Sequence, residues 1–180
     1  MSVIDKNFKE IFSAQIVSII GGLIAGTLLA IYTNKILLIP GILILLPGFL
    51  EMRGNISGTL SSRITSGLFL KVIKDDGSKN KIIKGNIAAS FLLVIIVSLC
   101  LGLLAFLFTY LIFKVVYFEI ILLALLAGIL ANAIEIPLSI FFTFYLFKKG
   151  HDPNNIMGPF LTSTGDIVSI ASVIIVLLLI

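Results

Sequence analysis

The stretch LLPGFLEMRGNISGTLSSR (residues 45–63) decides how this chain is interpreted. It holds a proline, three glycines, an asparagine, two arginines and a glutamate, whereas the whole chain of 180 residues is 59% hydrophobic and 12% charged. With a mean hydropathy of +1.21, the chain is an integral membrane protein and not a soluble domain. Irregular, polar backbone survives at membrane depth only where it is buried in protein or lines an aqueous cavity. We therefore expect this stretch to border a cavity.

The apolar runs predict an all-α polytopic membrane protein, a single domain covering residues 1–180. A hydrocarbon core of roughly 30 Å requires about 20 apolar residues per helix. Four uninterrupted runs meet that length: 11–32, 87–113, 115–147 and 156–180. Residues 36–70 form a more polar run, about 50 Å long as one straight helix, and we expect Pro47 and Gly48 to break it. The prediction is five transmembrane helices, of which the second is broken.

Basic residues outside these runs decide the count and the orientation. With five spans, nine lysines fall on the side of the amino terminus and two on the other side, which is a positive-inside pattern. We therefore expect a multi-pass protein of the cell membrane with a cytoplasmic amino terminus. The loop KDDGSKNK (residues 74–81) is expected to be a solvated cytoplasmic turn. The sequence holds no phosphate-binding loop of the GxxxxGK[ST] type, so nucleotide hydrolysis is not expected to power transport.

Asp166 is the strongest candidate for a functional residue. It lies well inside the last span, with Thr162 one turn before it. An ionisable group at that depth costs several kcal/mol and usually faces a bundle interior or a water-filled path. Hard cations such as Mg²⁺ take oxygen ligands and are typically held by one or two carboxylates with several waters retained. Asp166 and Thr162 therefore predict a cation site if two chains meet. A protonated or hydrogen-bonded packing residue is the alternative.

For the other polar residues a structural role is a serious alternative to a functional one. Glu135 precedes Pro137, which removes a backbone donor and frees a carbonyl, so Glu135 either serves helix packing or forms a second ion or proton site. Arg53 and Arg63 are expected to anchor or support their helix, because long basic side chains reach the membrane interface. His151 lies in the turn composition GHDPNN and is expected to be a lone surface histidine.

The opening stretch offers further oxygen ligands. Gly54 and Gly58 permit close helix approach, Asn55 supplies an amide oxygen, and a break at Pro47 would expose backbone carbonyls. These groups are complementary to Asp166 on another helix, because a hard cation needs several oxygen ligands.

Two motifs resemble a known family. The segment PGFLEMRGNISGTLSSRIT is similar to the signature of the magnesium transporter E membrane domain. It is closer to the branch shared with the eukaryotic solute carrier family 41, whose repeats carry P-[AG]-[LF]-L-x-x-[KR]-G-N-[LI]-x-x-T-L-[AS]-S-R. The tail DPNNIMGPFLTSTGD resembles that family's D-P-x-x-x-x-x-P-x-x-[TS]-[TS]-x-[GS]-D stretch at the start of the last helix. The two motifs stand in the family's order and on the expected helices.

The resemblance implies a five-helix protomer that pairs with a second copy, with a cation pathway at the twofold interface lined by the second and fifth helices. Gly54 and Asn55 match the family's Gly-Asn pair, and Asp166 matches its pore carboxylate. The resemblance thus implies a largely hydrated Mg²⁺ between the two copies of Asp166. The cytoplasmic sensor of the bacterial members has no counterpart before Asp5, so gating by such a sensor is not expected.

These observations predict a transporter and not an enzyme. We expect a homodimer, or a heterodimer with a related half-size copy, that moves Mg²⁺, or else Mn²⁺, Co²⁺ or Ca²⁺, across the lipid bilayer. The expected metal site comprises Asp166, Asn55, Gly54, Thr162 and Glu135. Two alternatives stay open: a proton-coupled carrier for a small solute, and a membrane assembly subunit whose polar residues serve helix packing alone. No nucleic-acid partner is expected.

A cysteine introduced at Ser78, in a chain whose single cysteine Cys100 is replaced by alanine, tests the predicted orientation. A membrane-impermeant maleimide is expected to label this cysteine only from the cytoplasmic side, because the distribution of lysines sets the orientation. Labelling from the outside of intact cells would contradict the five-span topology.

Overall fold

The computed structural model describes residues 6–74 and 81–180. Within these residues all regular structure is helical. The six helices are α1 (Lys6–Ile31), α2 (Thr33–Ile36), α3 (Ile42–Phe69), α4 (Lys81–Phe113), α5 (Glu119–Lys148) and α6 (Pro153–Leu177). The predicted cytoplasmic turn falls mostly on residues 75–80, which lie outside the described residues.

Four of the described helices, α1, α4, α5 and α6, are long and apolar enough to cross a membrane. They correspond to the four uninterrupted apolar runs, so the prediction of an all-α multi-pass protein is confirmed. Helix α3 has 28 residues, or a length of about 42 Å at 1.5 Å per residue. Its polar composition separates it from the other four. The count of five spans therefore stays a prediction, and it depends on α3.

The predicted break at Pro47 and Gly48 is not found, because α3 runs without interruption through both residues. Pro47 lies close to the start of α3, where its missing N–H removes a single helical hydrogen bond. The chain is interrupted earlier, where Gly41 adopts a φ of 80° directly before α3. A Cβ at Gly41 would overlap the side chain of Thr109 on α4. Glycine therefore allows both the left-handed turn and the close contact with α4.

Helix α3 is the central helix of the fold. It packs against α4, α5 and α6, while α1 packs mainly against α6. The hydroxyl of Ser61 lies 2.9 Å from that of Thr143 on α5, and the Ser139 hydroxyl donates to the carbonyl oxygen of Ser57 at 3.1 Å. Both bonds are buried. Hydrogen bonds of this kind hold helices together in lipid, where apolar surface alone gives little driving force for association.

The start of α6 is encoded by its cap. The carboxylate of Asp152 accepts the backbone N–H of Asn154 at 2.9 Å, and Pro153 occupies the first helical position, where no N–H is needed. Gly150, with a φ of 75°, makes the turn that precedes this cap. The cap fixes where α6 begins and therefore the register in which Asp166 faces α3.

Glycines allow α4 and α5 to approach closely. A Cβ at Gly102 of α4 would lie 2.9 Å from the Cα of Ile121 and 3.1 Å from the Cβ of Ala124. Gly128 of α5 makes the same kind of contact, because a Cβ there would overlap the Ser98 side chain. Small residues at such positions let two backbones meet within a membrane.

Replacement of Gly102 by alanine is expected to destabilise the protein by about 1–3 kcal/mol, because the added methyl group meets the backbone of α5. The matched control is Gly85→Ala on the same helix, where a Cβ meets no atom within 4 Å. Thermal unfolding in detergent micelles should show a lower midpoint for Gly102→Ala and an unchanged or higher midpoint for Gly85→Ala. Equal midpoints for the two variants would contradict the close α4–α5 contact.

Candidate functional site

A cavity of about 430 Å³ lies between α3 and α6. Gly54 and Asn55 line its α3 side, and Thr162 and Asp166 line its α6 side. The structure thus brings together four of the five residues of the predicted metal site, although they are distant in sequence. Glu135 does not line this cavity.

The α6 side of the cavity is a stripe of residues one turn apart, Gly158, Thr162 and Asp166. The Asp166 side chain is 26% exposed, so its carboxylate is accessible from the cavity. The Thr162 hydroxyl donates to the carbonyl oxygen of Gly158 at 3.1 Å. This bond uses the hydroxyl hydrogen and leaves the oxygen lone pairs for a cation or a water molecule.

The α3 side of the cavity is open because of its glycines. A Cβ at Gly54 or Gly58 would meet no described atom within 4 Å, so residues 6–74 and 81–180 do not make the close helix approach expected at these glycines. Asn55 is exposed, and its Nδ2 donates to Glu51 Oε1 at 3.2 Å. The amide oxygen of Asn55 is not used in that bond and keeps its capacity to accept.

Arg53 lines the cavity and was not among the residues predicted for this site. Its side chain is only 1% exposed, so it does not reach the membrane interface, and of the two expected roles, anchoring or support of its helix, burial favours support. Its Nη2 donates to Asp166 Oδ1 at 3.1 Å, and its Nη1 donates to the carbonyl oxygen of Leu161 at 2.9 Å. A Cβ at Gly165 would overlap the guanidinium group. Glycine at this position therefore makes room for the arginine.

Glu135 lies on α5 and is completely buried. Its Oε2 is 3.7 Å from Arg53 Nη1, and neither carboxylate oxygen has a hydrogen-bond partner among the described residues. The Thr164 hydroxyl donates its hydrogen to the carbonyl oxygen of Phe160 at 2.9 Å, so it is not free to donate to Glu135. Arg53 therefore faces one carboxylate that it bonds, on α6, and one that it approaches without a bond, on α5.

An open groove of about 690 Å³ continues from the cavity along α3. The cavity and the groove share Gly54, Asn55 and Gly58 in their walls. From Thr59 to Ser66 the exposed side chains of α3 are polar: Thr59, Ser62, Arg63 and Ser66. Arg63 donates from Nη1 to Asn86 Oδ1 at 3.4 Å. One face of α3 thus presents polar side chains that the other described residues leave exposed.

His151 is not the lone surface histidine that the turn composition predicted. Its Nδ1 lies 2.8 Å from Glu10 Oε1, and Asn155 Nδ2 donates to Glu10 Oε2 at 3.0 Å. The Lys6 ammonium group donates to the carbonyl oxygen of Gly150 at 2.6 Å. These contacts tie the first turn of α1 to the start of α6. The sequence gives no signal for them, because the partners are more than a hundred residues apart.

The cavity can offer a cation oxygen ligands of several kinds. The carboxylates come from Asp166 and Glu51, the amide from Asn55 and the hydroxyl from Thr162. Within residues 6–74 and 81–180, no group of three or more His, Cys, Asp or Glu side chains is placed to hold a metal ion. One or two carboxylates with neighbouring oxygens suit Mg²⁺, which keeps several of its waters. The softer transition metals prefer imidazole and thiolate ligands.

The comparison with known proteins agrees with this chemistry. No curated protein and no solved structure shows a significant match to the chain. A family model does match: MgtE, described as a divalent cation transporter, fits residues 46–176. The matched region covers most of the chain and includes both walls of the cavity. MgtE is a family of transporters, and this chain, a multi-pass membrane protein, belongs to it.

Proposed function

We propose that this protein moves Mg²⁺, or a related divalent cation, across the cell membrane through a pathway at the interface of two copies of the chain. The observation that carries the proposal is the polar, uncovered face of α3 that leads to Asp166. Family membership supports divalent cations in general. The choice of Mg²⁺ follows from the oxygen ligands at the cavity, which are those of a hard cation.

The uncovered face of α3 is difficult to place against lipid. Asn55, Thr59 and Ser62 are exposed along it, and polar groups facing hydrocarbon without a partner cost several kcal/mol each. The outward faces of α1 and α4, by contrast, expose large apolar side chains such as Leu23 and Leu103. The α3 face therefore requires water or protein, and an aqueous pathway bounded by a second protein surface provides both.

Helix α3 then serves as the fifth span. Helices α4, α5 and α6 surround its buried face, so the polar residues on that face meet protein and not lipid. Its length of about 42 Å exceeds the roughly 30 Å of a hydrocarbon core. With α3 crossing the membrane, the amino terminus and the loop between α3 and α4 lie on the cytoplasmic side, as the lysine distribution predicts.

A second copy of the chain is the simplest cover for the open face. In a twofold dimer the same surface contacts itself, so the two Asp166 carboxylates would face one another across the pathway. A dication that enters loses part of its solvation, and two carboxylates with retained waters offset that loss. A related half-size chain could take the same place in a heterodimer.

Asp166→Asn keeps the shape of the side chain and removes its charge, while Asp166→Ala removes both. We expect Mg²⁺ uptake into liposomes to fall more than about tenfold in Asp166→Ala, because a charged ligand is lost from a partly buried site. Asp166→Asn should bind Mg²⁺ more weakly in calorimetry, although it can still accept a bond from Arg53. The matched control is Glu119→Gln, an exposed carboxylate outside the cavity, which should behave as wild type.

Equal Mg²⁺ affinity and equal flux in wild type and Asp166→Asn would show that Asp166 is not a cation ligand and serves helix packing. That outcome would favour a membrane assembly subunit. Uptake of an organic solute coupled to protons, with no dependence on divalent cations, would favour the carrier alternative.

The dimer is tested by a cysteine at Thr162 in a Cys100→Ala background. A short bifunctional thiol reagent is expected to cross-link Thr162→Cys into dimers in membranes, because Thr162 lies on the same face as Asp166. Leu23→Cys on the outward face of α1 is the control. Leu23 is 68% exposed, but it lies on an apolar surface and not on the polar face that borders the cavity. Cross-linking at Leu23 but not at Thr162 would place the contact elsewhere and overturn the proposed interface.

A further inference from the structure

Arg53 has two carboxylates within reach and bonds only one of them. Its Nη2 donates to Asp166 Oδ1 at 3.1 Å, whereas its Nη1 is 3.7 Å from Glu135 Oε2. The Nε of Arg53 and both oxygens of Glu135 have no hydrogen-bond partner among the described residues. Arg53 and Glu135 are almost fully buried, and Asp166 reaches the cavity. Glu135 is therefore the carboxylate that can still accept a hydrogen bond from Arg53.

When both carboxylates are ionised, the formal charges of this triad do not cancel. The guanidinium carries a permanent positive charge, and two ionised carboxylates leave one net negative charge in each copy of the chain. A buried charge that loses its partner is strongly destabilising. The arginine must therefore stay near at least one carboxylate, and Glu135 can fill that role if Asp166 is engaged by another cation.

We propose that Arg53 is a tethered cation that competes with the transported cation for Asp166 and passes to Glu135 when the transported cation binds. The proposal rests on the proposed function, because it takes Asp166 as the cation ligand. It assigns a role to Glu135 that involves no contact with the cation. Glu135 is then the carboxylate that receives the guanidinium, and it is not a second metal ligand.

The required movement is small. A hydrogen bond between Arg53 Nη1 and Glu135 Oε2 needs the present 3.7 Å to shorten by about 0.8 Å, to the usual 2.9 Å. The bond to the carbonyl oxygen of Leu161, at 2.9 Å, is independent of both carboxylates. Gly165 leaves the space in which the guanidinium lies. The five N–H groups of arginine allow it to exchange one acceptor while it keeps another.

The exchange has a consequence for affinity and release. A cation that binds Asp166 must displace the guanidinium, so its affinity is lower than Asp166 alone would give. The guanidinium can return to Asp166 as the cation leaves, so the carboxylate does not have to be left without a partner. Arg53 thereby favours release of the transported cation. A transporter needs this, because a charged site that holds its cation too tightly does not let it leave.

The double variant Arg53→Gln/Glu135→Gln isolates competition from net charge. It removes one positive and one negative charge, so the formal charge around Asp166 stays the same as in wild type. Net charge alone predicts unchanged Mg²⁺ affinity, whereas removal of a competing cation predicts tighter binding, by about tenfold if the coupling is of ordinary size. Calorimetry with Mg²⁺ on the protein in lipid nanodiscs measures this directly. The matched control is Lys114→Gln/Glu119→Gln. It also removes one positive and one negative charge, but from exposed residues between the end of α4 and the start of α5.

The single variant Glu135→Gln gives a second measurement that does not depend on the folding of the double variant. It removes the ionised acceptor for the displaced guanidinium, so Mg²⁺ should bind about tenfold more weakly. Unchanged affinity in Glu135→Gln, or an affinity in the double variant no higher than in wild type, overturns the role of Arg53. Wild-type Mg²⁺ affinity in Asp166→Asn is the separate result that overturns the proposed function itself.

Discussion

The buried guanidinium of Arg53 is the interaction on which the rest of the structure depends. It belongs to the central helix α3, bonds α6 through Asp166 and the Leu161 carbonyl, and faces Glu135 on α5. A charge enclosed in protein must have its counter-charges beside it. The positions of three helices are therefore tied to one side chain, and the same side chain holds the carboxylate that reaches the cavity.

Much of the architecture and most of the cavity could be predicted from the sequence, because they depend on local properties. Apolar runs of sufficient length indicated α1, α4, α5 and α6. The resemblance of two compact motifs to a known family implied that Gly54 and Asp166 belong to one site. The polar composition of residues 45–63 indicated a cavity wall, and the structure places a cavity there.

Two of the predictions that failed concern relations between distant residues. Whether an arginine is buried or reaches the interface depends on where its counter-charges lie, and Glu135 and Asp166 are far from Arg53 in sequence. The contact between His151 and Glu10 likewise depends on how α1 packs against α6. The break at Pro47 was a local prediction that failed because α3 continues through this residue, although its missing N–H removes a helical hydrogen bond. The interruption that the structure shows, at Gly41, carries the same Pro-Gly signal seven residues earlier.

The attachment of α1 to α6 has a mechanical consequence. Helix α1 packs mainly on α6, is bonded to its start through Glu10, and otherwise presents an apolar surface to the membrane. A tilt or shift of α6 that widens or narrows the cavity must therefore carry α1 with it. Because α1 faces the acyl chains, such a motion displaces lipid as well as protein. The thickness and fluidity of the surrounding bilayer then enter the free energy of opening the cavity.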